Sequence, residues 1–207
     1  MIHQDHIFFD LETSSLKPED GCVIEIAAIR TDSKGNILAS FCDRVIPDRE
    51  VKPSVAKING YNKETWGGVP FHSAIASFNR SIVRPFSDKA VFVGHFCDFD
   101  RNFLSSDCIR FGLEIPLQSR AWICTGNLVW PFLFNDQLSS RKLVDIARFM
   151  NIPTEGAHTA SGDAKMCCDV YWELMRRYST MLIAHTAISQ SGGRKVFSFM
   201  EKIVNGF

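Results

Sequence analysis

The sequence predicts an α/β protein in which a central mixed sheet of five strands is flanked by α-helices. Three features carry that expectation. Three strand-like stretches come first, two of them joined by a tight-turn signal. Shorter strand-like stretches then alternate with segments of helical periodicity, and no internal repeat or low-complexity stretch interrupts them. Strands first, then strands mixed with helices, fit a mixed sheet with helices packed on it.

The elements follow in chain order. Residues 6–12 alternate in polarity and read as a strand. Lys-Pro-Glu-Asp-Gly at 17–21 is a turn, and 22–31 is a second, buried strand. Ser-Lys-Gly-Asn at 33–36 signals a tight turn into a third strand at 37–46, so 22–46 reads as a hairpin. Residues 47–70 read as loop with short helical turns. Residues 71–84 have helical spacing, 90–95 form a short buried strand, and 99–111 are helical with Phe103, Leu104, Cys108 and Phe111 on one face. Residues 120–124 give a fifth strand, and 139–150 and 160–184 are helices. Ser-Gly-Gly at 191–193 then precedes a short amphipathic segment, which sets the expected domain at 1–190 with a helical extension at 191–207.

Composition bounds the function. The chain has 207 residues, 45% of them hydrophobic and 22% charged, which suits one well-packed domain with a short extension. Twenty-three basic and 23 acidic residues leave no formal net charge. A polyanionic ligand must then be held locally or through metal rather than by bulk attraction. The seven cysteines, an odd number without a C-x-x-C pair, argue against a disulfide framework and a structural zinc site. Cys22, Cys42, Cys108 and Cys167 lie in apolar runs as small hydrophobes. A reducing, cytoplasmic compartment fits. The N-terminus has no signal-peptide pattern, and no apolar run approaches the ~18 residues of a membrane span, so no membrane association is expected.

Within the first strand, Phe-Phe-Asp-Leu-Glu-Thr at 8–13 places two carboxylates where a core strand is expected. Side chains alternate along a strand, so Asp10 and Glu12 share a face, about 7 Å apart. Like charges about 4 Å apart at an effective dielectric near 20 repel by about 4 kcal/mol. A solvated strand end would remove the conflict. Two more acids sharpen it. Asp100 heads the stripe 100, 103, 104, 108, 111, whose other members are apolar; Asp98, two residues earlier, shares its face with Asn102 and Ser105 and reads as solvated. Asp163 heads the stripe 163, 167, 170, 171, 174 in the same way. Each alone fits a carboxylate favoured by a helix N-terminus. His158, five residues before Asp163, falls on the loop leading in. A shared divalent metal accounts for all four acids together: Mg²⁺ and Mn²⁺ take carboxylate oxygens, and their open positions suit phosphoryl chemistry.

These residues also resemble a family. Phe-Asp-Leu-Glu-Thr at 9–13 is similar to the first motif of the DEDD, or DnaQ-like, 3′→5′ exonucleases. Residues 93–104, VGHFCDFDRNFL, resemble the second, and 158–164, HTASGDA, the third in its histidine-containing form. Residues 141–153 resemble the helix before the third motif. The likeness spans about residues 5–180. It implies a ribonuclease-H-like fold and two-metal hydrolysis with two Mg²⁺ or Mn²⁺ ions. Asp10, Glu12, Asp100 and Asp163 would hold the metals, and His158 would be the general base, since an imidazole titrates near neutrality.

The sequence departs from the family around the substrate. Thr13-Ser14-Ser15 stands where Thr-Thr-Gly is common, Phe96 follows Gly94-His95 in place of Asn, and Cys124-Thr125 replaces Asp-Thr. Thr13, Leu16, Phe96 and the loop aromatic Trp66 are the expected substrate-binding residues. Glu25 lies inside an apolar run where the family often has a glutamate, and the resemblance implies a structural role. Aromatic stacking by Tyr61, Trp130, Phe132 and Phe134 competes with core packing. The expected activity is metal-dependent 3′→5′ exonuclease action on single-stranded DNA or RNA, releasing nucleoside 5′-monophosphates. A stand-alone trimming enzyme is favoured over a polymerase-bound proofreader, with the C-terminal segment open to a polymerase or to self-association. The alternatives are a catalytically silent nucleic-acid-binding or polymerase-accessory module of the same fold, and a ribonuclease-H-like endonuclease.

Overall fold

The computed structural model describes residues 5–84, 90–116, 121–133, 138 and 140–189. Five strands form one sheet in the order β3-β2-β1-β4-β5. The hydrophobic run at the N-terminus makes β1 (His6–Thr13) the central strand, with Ile7, Phe8, Phe9 and Leu11 buried. It pairs antiparallel with β2 (Val23–Thr31), which is buried along its whole length. The predicted hairpin then places β3 (Ile37–Arg44) antiparallel at the edge, where no residue is fully buried. β4 (Val91–Gly94) lies parallel to β1, and β5 (Trp122–Cys124) parallel to β4. The carboxyl ends of β1, β4 and β5 therefore fall at one edge.

The two faces of β1 have different neighbours. Ile7, Phe9 and Leu11 belong to the main core, with Phe71, Ala74, Ile75 and Phe78 of α2 (Phe71–Phe78) and Phe103, Leu104 and Cys108 of α3 (Asp98–Arg110). α2 follows α1 (Pro53–Asn59) and continues into a π-helical turn at Asn79–Val83. Arg30, fully buried in β2, has its charge satisfied locally: its guanidinium donates to the Ile82 carbonyl at 2.7 Å and to Asp5 at 2.7 and 2.9 Å. A buried cation is tolerated when its donors are satisfied in this way. α4 (Thr125–Leu133), α5 (Leu143–Phe149) and α6 (Ala160–Ser189) complete the set. The chain separates into two units, Met1–Val170 and Tyr171–Phe207, and the sheet lies within the first.

Most sequence expectations hold to within a few residues. α4 was not foreseen, because Gly126 and Pro131 break its helical signal. The loop 47–70 contains the helix α1, begun by Pro53 at its first turn. Cys42 is exposed rather than packed, since it lies on the edge strand. The expected helical extension at 191–207, and Phe134, lie outside the described residues. All seven cysteines are free thiols.

The β1–β2 register shifts between Glu12 and Thr13, a bulge that leaves Val23 opposite Thr13. Asp107, 1% exposed, meets this irregularity: its Oδ2 accepts the Val23 N–H at 2.8 Å and its Oδ1 accepts Arg110 Nη2 at 2.6 Å. Asp107→Ala strands the buried Val23 N–H and takes one of two carboxylate partners from Arg110, which keeps Asp48. We expect a loss of about 2–3 kcal/mol, seen as a fall of roughly 5–10 °C in the midpoint of thermal unfolding followed by circular dichroism.

Candidate active site

The strand, the bulge and two helix starts bring the acids to one place. β1 carries Asp10 and Glu12 on the same face, with Leu11 between them in the opposite core. One oxygen each from Asp10, Glu12 and Asp163 lies within 4.8 Å of the others. Asp163 is in the first turn of α6. Asp100, in the first turn of α3 and 3% exposed, reaches over the end of β1, where its Oδ1 accepts the Leu11 N–H at 3.1 Å. Its carboxyl is thus bonded between Asp10 and Glu12. Asp98 is exposed and paired with Arg101 at 2.8 Å, as its place off the apolar stripe predicts.

The start of α6 is built by local capping. Thr159 Oγ1 accepts the Gly162 N–H at 3.1 Å, the usual N-cap bond. The His158 N–H donates back to Asp163 Oδ2 at 3.3 Å. This fixes the acid and the histidine to each other across the first turn. His158 is exposed, with φ at 67°, a left-handed conformation that is uncommon outside glycine. Gly162 is required there, because a β-carbon would overlap the Gly156 carbonyl oxygen.

Burial raises the proton affinity of all four acids, and repulsion between them adds to it at Asp10, Glu12 and Asp100. Burial is the largest cause for Asp10, whose carboxyl is pushed well above its ordinary value; Asp100, Asp163 and Glu12 add repulsion in that order. Glu12 is pushed up to about 8 by burial and by Asp163, against a lowering contact from Asn59. Asp100 is likewise pushed to about 8 by burial, although the Leu11 amide opposes the shift. Asp163 is raised by burial and lowered by the His158 amide. Without a counter-charge, protons take the place of a cation near neutral pH. The donors are hard carboxylate oxygens with no cysteine or histidine among the three that converge, which fits Mg²⁺ or Mn²⁺ and not a structural zinc.

The expected substrate residues divide. Leu16 is 72% exposed at the tip of a loop whose backbone is tied down by Ser14, Ser15 and Asn59. Phe96 is also exposed and holds φ at 56°; its ring lies against Gly126, where a β-carbon would collide with it, and the Arg141 guanidinium sits 5.4 Å from its centroid. Thr13 is buried, with its hydroxyl donating to the Ser15 carbonyl at 2.7 Å, so its side chain shapes the loop. Trp66 is a correction. It is 7% exposed, packs with Cys22 and Ile24, and donates from Nε1 to the Ile24 and Val45 carbonyls at 3.2 and 3.3 Å. It cannot stack on a base.

Asn59 and Glu25 neighbour Glu12, and His95 directly follows β4. Asn59 donates to the Thr13 carbonyl at 3.3 Å. Burial pushes His95 down to about 4, so its ring is neutral. It then donates from Nε2 to the Arg141 carbonyl at 2.8 Å and accepts the Thr125 hydroxyl at Nδ1, 3.0 Å away. Glu25, which the sequence marks as structural by its place in an apolar run and by the family resemblance, accepts the Ala160 N–H at 2.7 Å.

With this geometry in hand, comparisons with known proteins agree. The RNase_T exonuclease family model matches residues 7–171. The DNA polymerase III subunit epsilon of Treponema pallidum (strain Nichols) is 30% identical over 191 residues, 90% of this chain and 80% of the relative. The PolC-type DNA polymerase III of Latilactobacillus sakei is 25% identical over 161 residues, which is 78% of this chain but 10% of that much longer protein. Among solved structures, Escherichia coli Exonuclease I in complex with a dT13 oligonucleotide superposes with a TM-score of 0.73 at 19% identity, covering 87% of this chain and 43% of that one. The nuclease domain of 3′hExo, a DEDDh family member bound to rAMP, gives 0.71 at 15% identity, covering 85% and 94%. These two likenesses concern the fold.

The carboxyl shifts fix the pH dependence of the metal-free protein. Glu12 and Asp100 move from ordinary values of 4.5 and 3.8 to about 8. Between those limits the folded state holds more protons than the unfolded chain, so stability falls as pH rises from about 4 to 8. In EDTA, the unfolding midpoint should drop across that window, and Mn²⁺ should restore most of the loss at pH 8. Asp10→Asn, which removes one charge, should raise the EDTA midpoint at pH 8 by about 2–4 °C for each kcal/mol of repulsion relieved. A midpoint that rises with pH in EDTA would contradict this electrostatic picture.

Proposed function

The chain belongs to the DEDD, or DnaQ-like, exonucleases, and from that membership we propose that it removes nucleotides stepwise from the 3′ ends of single-stranded DNA or RNA, releasing nucleoside 5′-monophosphates. The observation that carries the reading is the convergence of Asp10, Glu12 and Asp163 within 4.8 Å beside the buried Asp100. We take residues 1–190 as the exonuclease domain, since α6 runs to Ser189.

Each residue has a role in this reading. Asp10, Glu12, Asp100 and Asp163 hold two divalent ions, Mg²⁺ or Mn²⁺. Bound there, the ions supply an activated water and charge stabilisation for the leaving 3′ oxygen. Asp100 is held ready by the Leu11 amide, and Asp163 by the His158 amide. His158 is the general base that takes the proton of the attacking water. Its ring stands exposed on a loop, while its backbone is tied to Asp163, so it can meet substrate without losing its anchor. Leu16 and Phe96 offer exposed apolar surface for the terminal bases. Thr13 contributes backbone rather than its buried hydroxyl. A compact acidic centre that grips few phosphates is consistent with zero net charge.

The test is a time course on 5′-labelled single-stranded DNA and RNA of one sequence, with Mg²⁺, Mn²⁺ or EDTA. A ladder shortening from the 3′ end, with metal only, is expected, and the faster substrate identifies the preferred sugar. His158→Ala should lower kcat by about 10²- to 10⁴-fold while Mn²⁺ binding, read by electron paramagnetic resonance, stays unchanged. Cleavage of a circular single strand would instead indicate endonuclease action, and no metal-dependent cleavage of any substrate would overturn the reading.

A further inference from the structure

We propose that Glu25 is a positioning residue of this site: its carboxylate ties the first turn of α6 to the sheet and so sets the separation of Asp163 and His158 from Asp10 and Glu12. The proposal rests on the exonuclease reading above.

The side chain has an unusual address. Glu25 lies on β2 directly opposite Glu12 of β1, in an antiparallel pair whose side chains share a face. It is 5% exposed. A second carboxylate facing Glu12 adds repulsion to a site already crowded with charge, and packing alone would favour an apolar residue there, as at Ile24 and Ile26 on either side. What Glu25 gains is the α6 terminus. Its Oε2 accepts the Ala160 N–H at 2.7 Å, a bond between residues 135 positions apart. Ala160 opens α6, whose first amides have no partner within the helix and carry the positive end of its dipole. Its other oxygen, Oε1, lies 3.6 Å from Arg44 Nε. The negative charge is thus offset on both sides.

The surroundings make this bond a tether. Ala27 of β2 packs against Ala160 and Ala164, so small side chains let the helix start approach the strand closely. Ala27 is the register partner of Asp10, and Glu25 that of Glu12. The same two strand positions that face the acids of β1 therefore also seat the helix carrying Asp163. His158 precedes Ala160 by two residues, and its amide is bonded to Asp163. Displacement of Ala160 moves the acid and the histidine together. Thr159 caps Gly162 from within the turn but reaches no strand, so it cannot set the same distance.

Three variants and three readouts test this. Glu25→Gln keeps an acceptor oxygen for Ala160, Glu25→Ala removes it, and Glu25→Asp is one methylene short. On the 5′-labelled oligonucleotide, Glu25→Ala should lower kcat by about 10²-fold, the cost of a small misplacement, with KM little changed. Its Mn²⁺ affinity, measured by paramagnetic resonance without substrate, should weaken about 10- to 100-fold. In the metal-free protein, the Ala160 amide should lose its protection from hydrogen exchange. Glu25→Gln should restore most of all three. Should Glu25→Ala not fold, Glu25→Asp must show the same kcat and Mn²⁺ losses. Wild-type kcat and Mn²⁺ affinity in Glu25→Ala or Glu25→Asp would overturn the proposal, and so would Glu25→Gln behaving like Glu25→Ala. Absence of nuclease activity in the wild type, with the Mn²⁺ and exchange results as expected, would fault the exonuclease reading and leave the tether standing.

Discussion

Repulsion among Asp10, Glu12, Asp100 and Asp163 is the constraint around which the rest of the structure is arranged. A fold gains nothing in stability by collecting four carboxylates at the end of its central strand. Each is partly or fully removed from water, which raises its proton affinity, and neighbouring acids add repulsion at Asp10, Glu12 and Asp100. Divalent cations convert that liability into a site, because the same oxygens that repel one another become ligands around one charge. The carboxyl edge of β1, β4 and β5 provides the location, with helix starts supplying Asp100 and Asp163.

Backbone amides hold the arrangement before any cation arrives. Leu11 donates to Asp100, His158 to Asp163, and Ala160 to Glu25. Each bond joins a carboxylate to a main-chain N–H whose place is set by strand or helix geometry rather than by a flexible side chain. The bulge after Glu12 would otherwise leave an orphan donor in the core, and Asp107 accepts it. Acids thus serve two ends here. Asp100 and Asp163 join the converging set and accept an amide each, while Glu25 and Asp107 accept amides that keep that set in register.

Much of this was legible in the sequence, for a physical reason. Asp100 and Asp163 could be picked out because each heads an otherwise apolar helical stripe, and Asp10 and Glu12 because alternation puts them on one face of a buried strand. Periodicity reports which side of an element faces inward. It does not report what an inward polar group touches. Asp107 shows this limit: it lies seven residues from Asp100 on the same buried face of α3, and nothing in the period names its partners, the Val23 amide and Arg110. Trp66 failed in the opposite direction, since a loop position says nothing of burial, and its indole closes a small core with Cys22 and Ile24. Glu25 reads as structural, from its charge in an apolar run and from the family resemblance, but its partner, 135 residues away, is beyond any local pattern.

The central claim is that these carboxylates converge in order to hold divalent metal. Its most direct test is a crystal soaked in Mn²⁺, with data collected at a wavelength where manganese scatters anomalously. The account predicts anomalous peaks among Asp10, Glu12, Asp100 and Asp163, lost in an Asp10→Asn crystal. Ordered carboxylates with no anomalous peak among them at millimolar Mn²⁺ would contradict it.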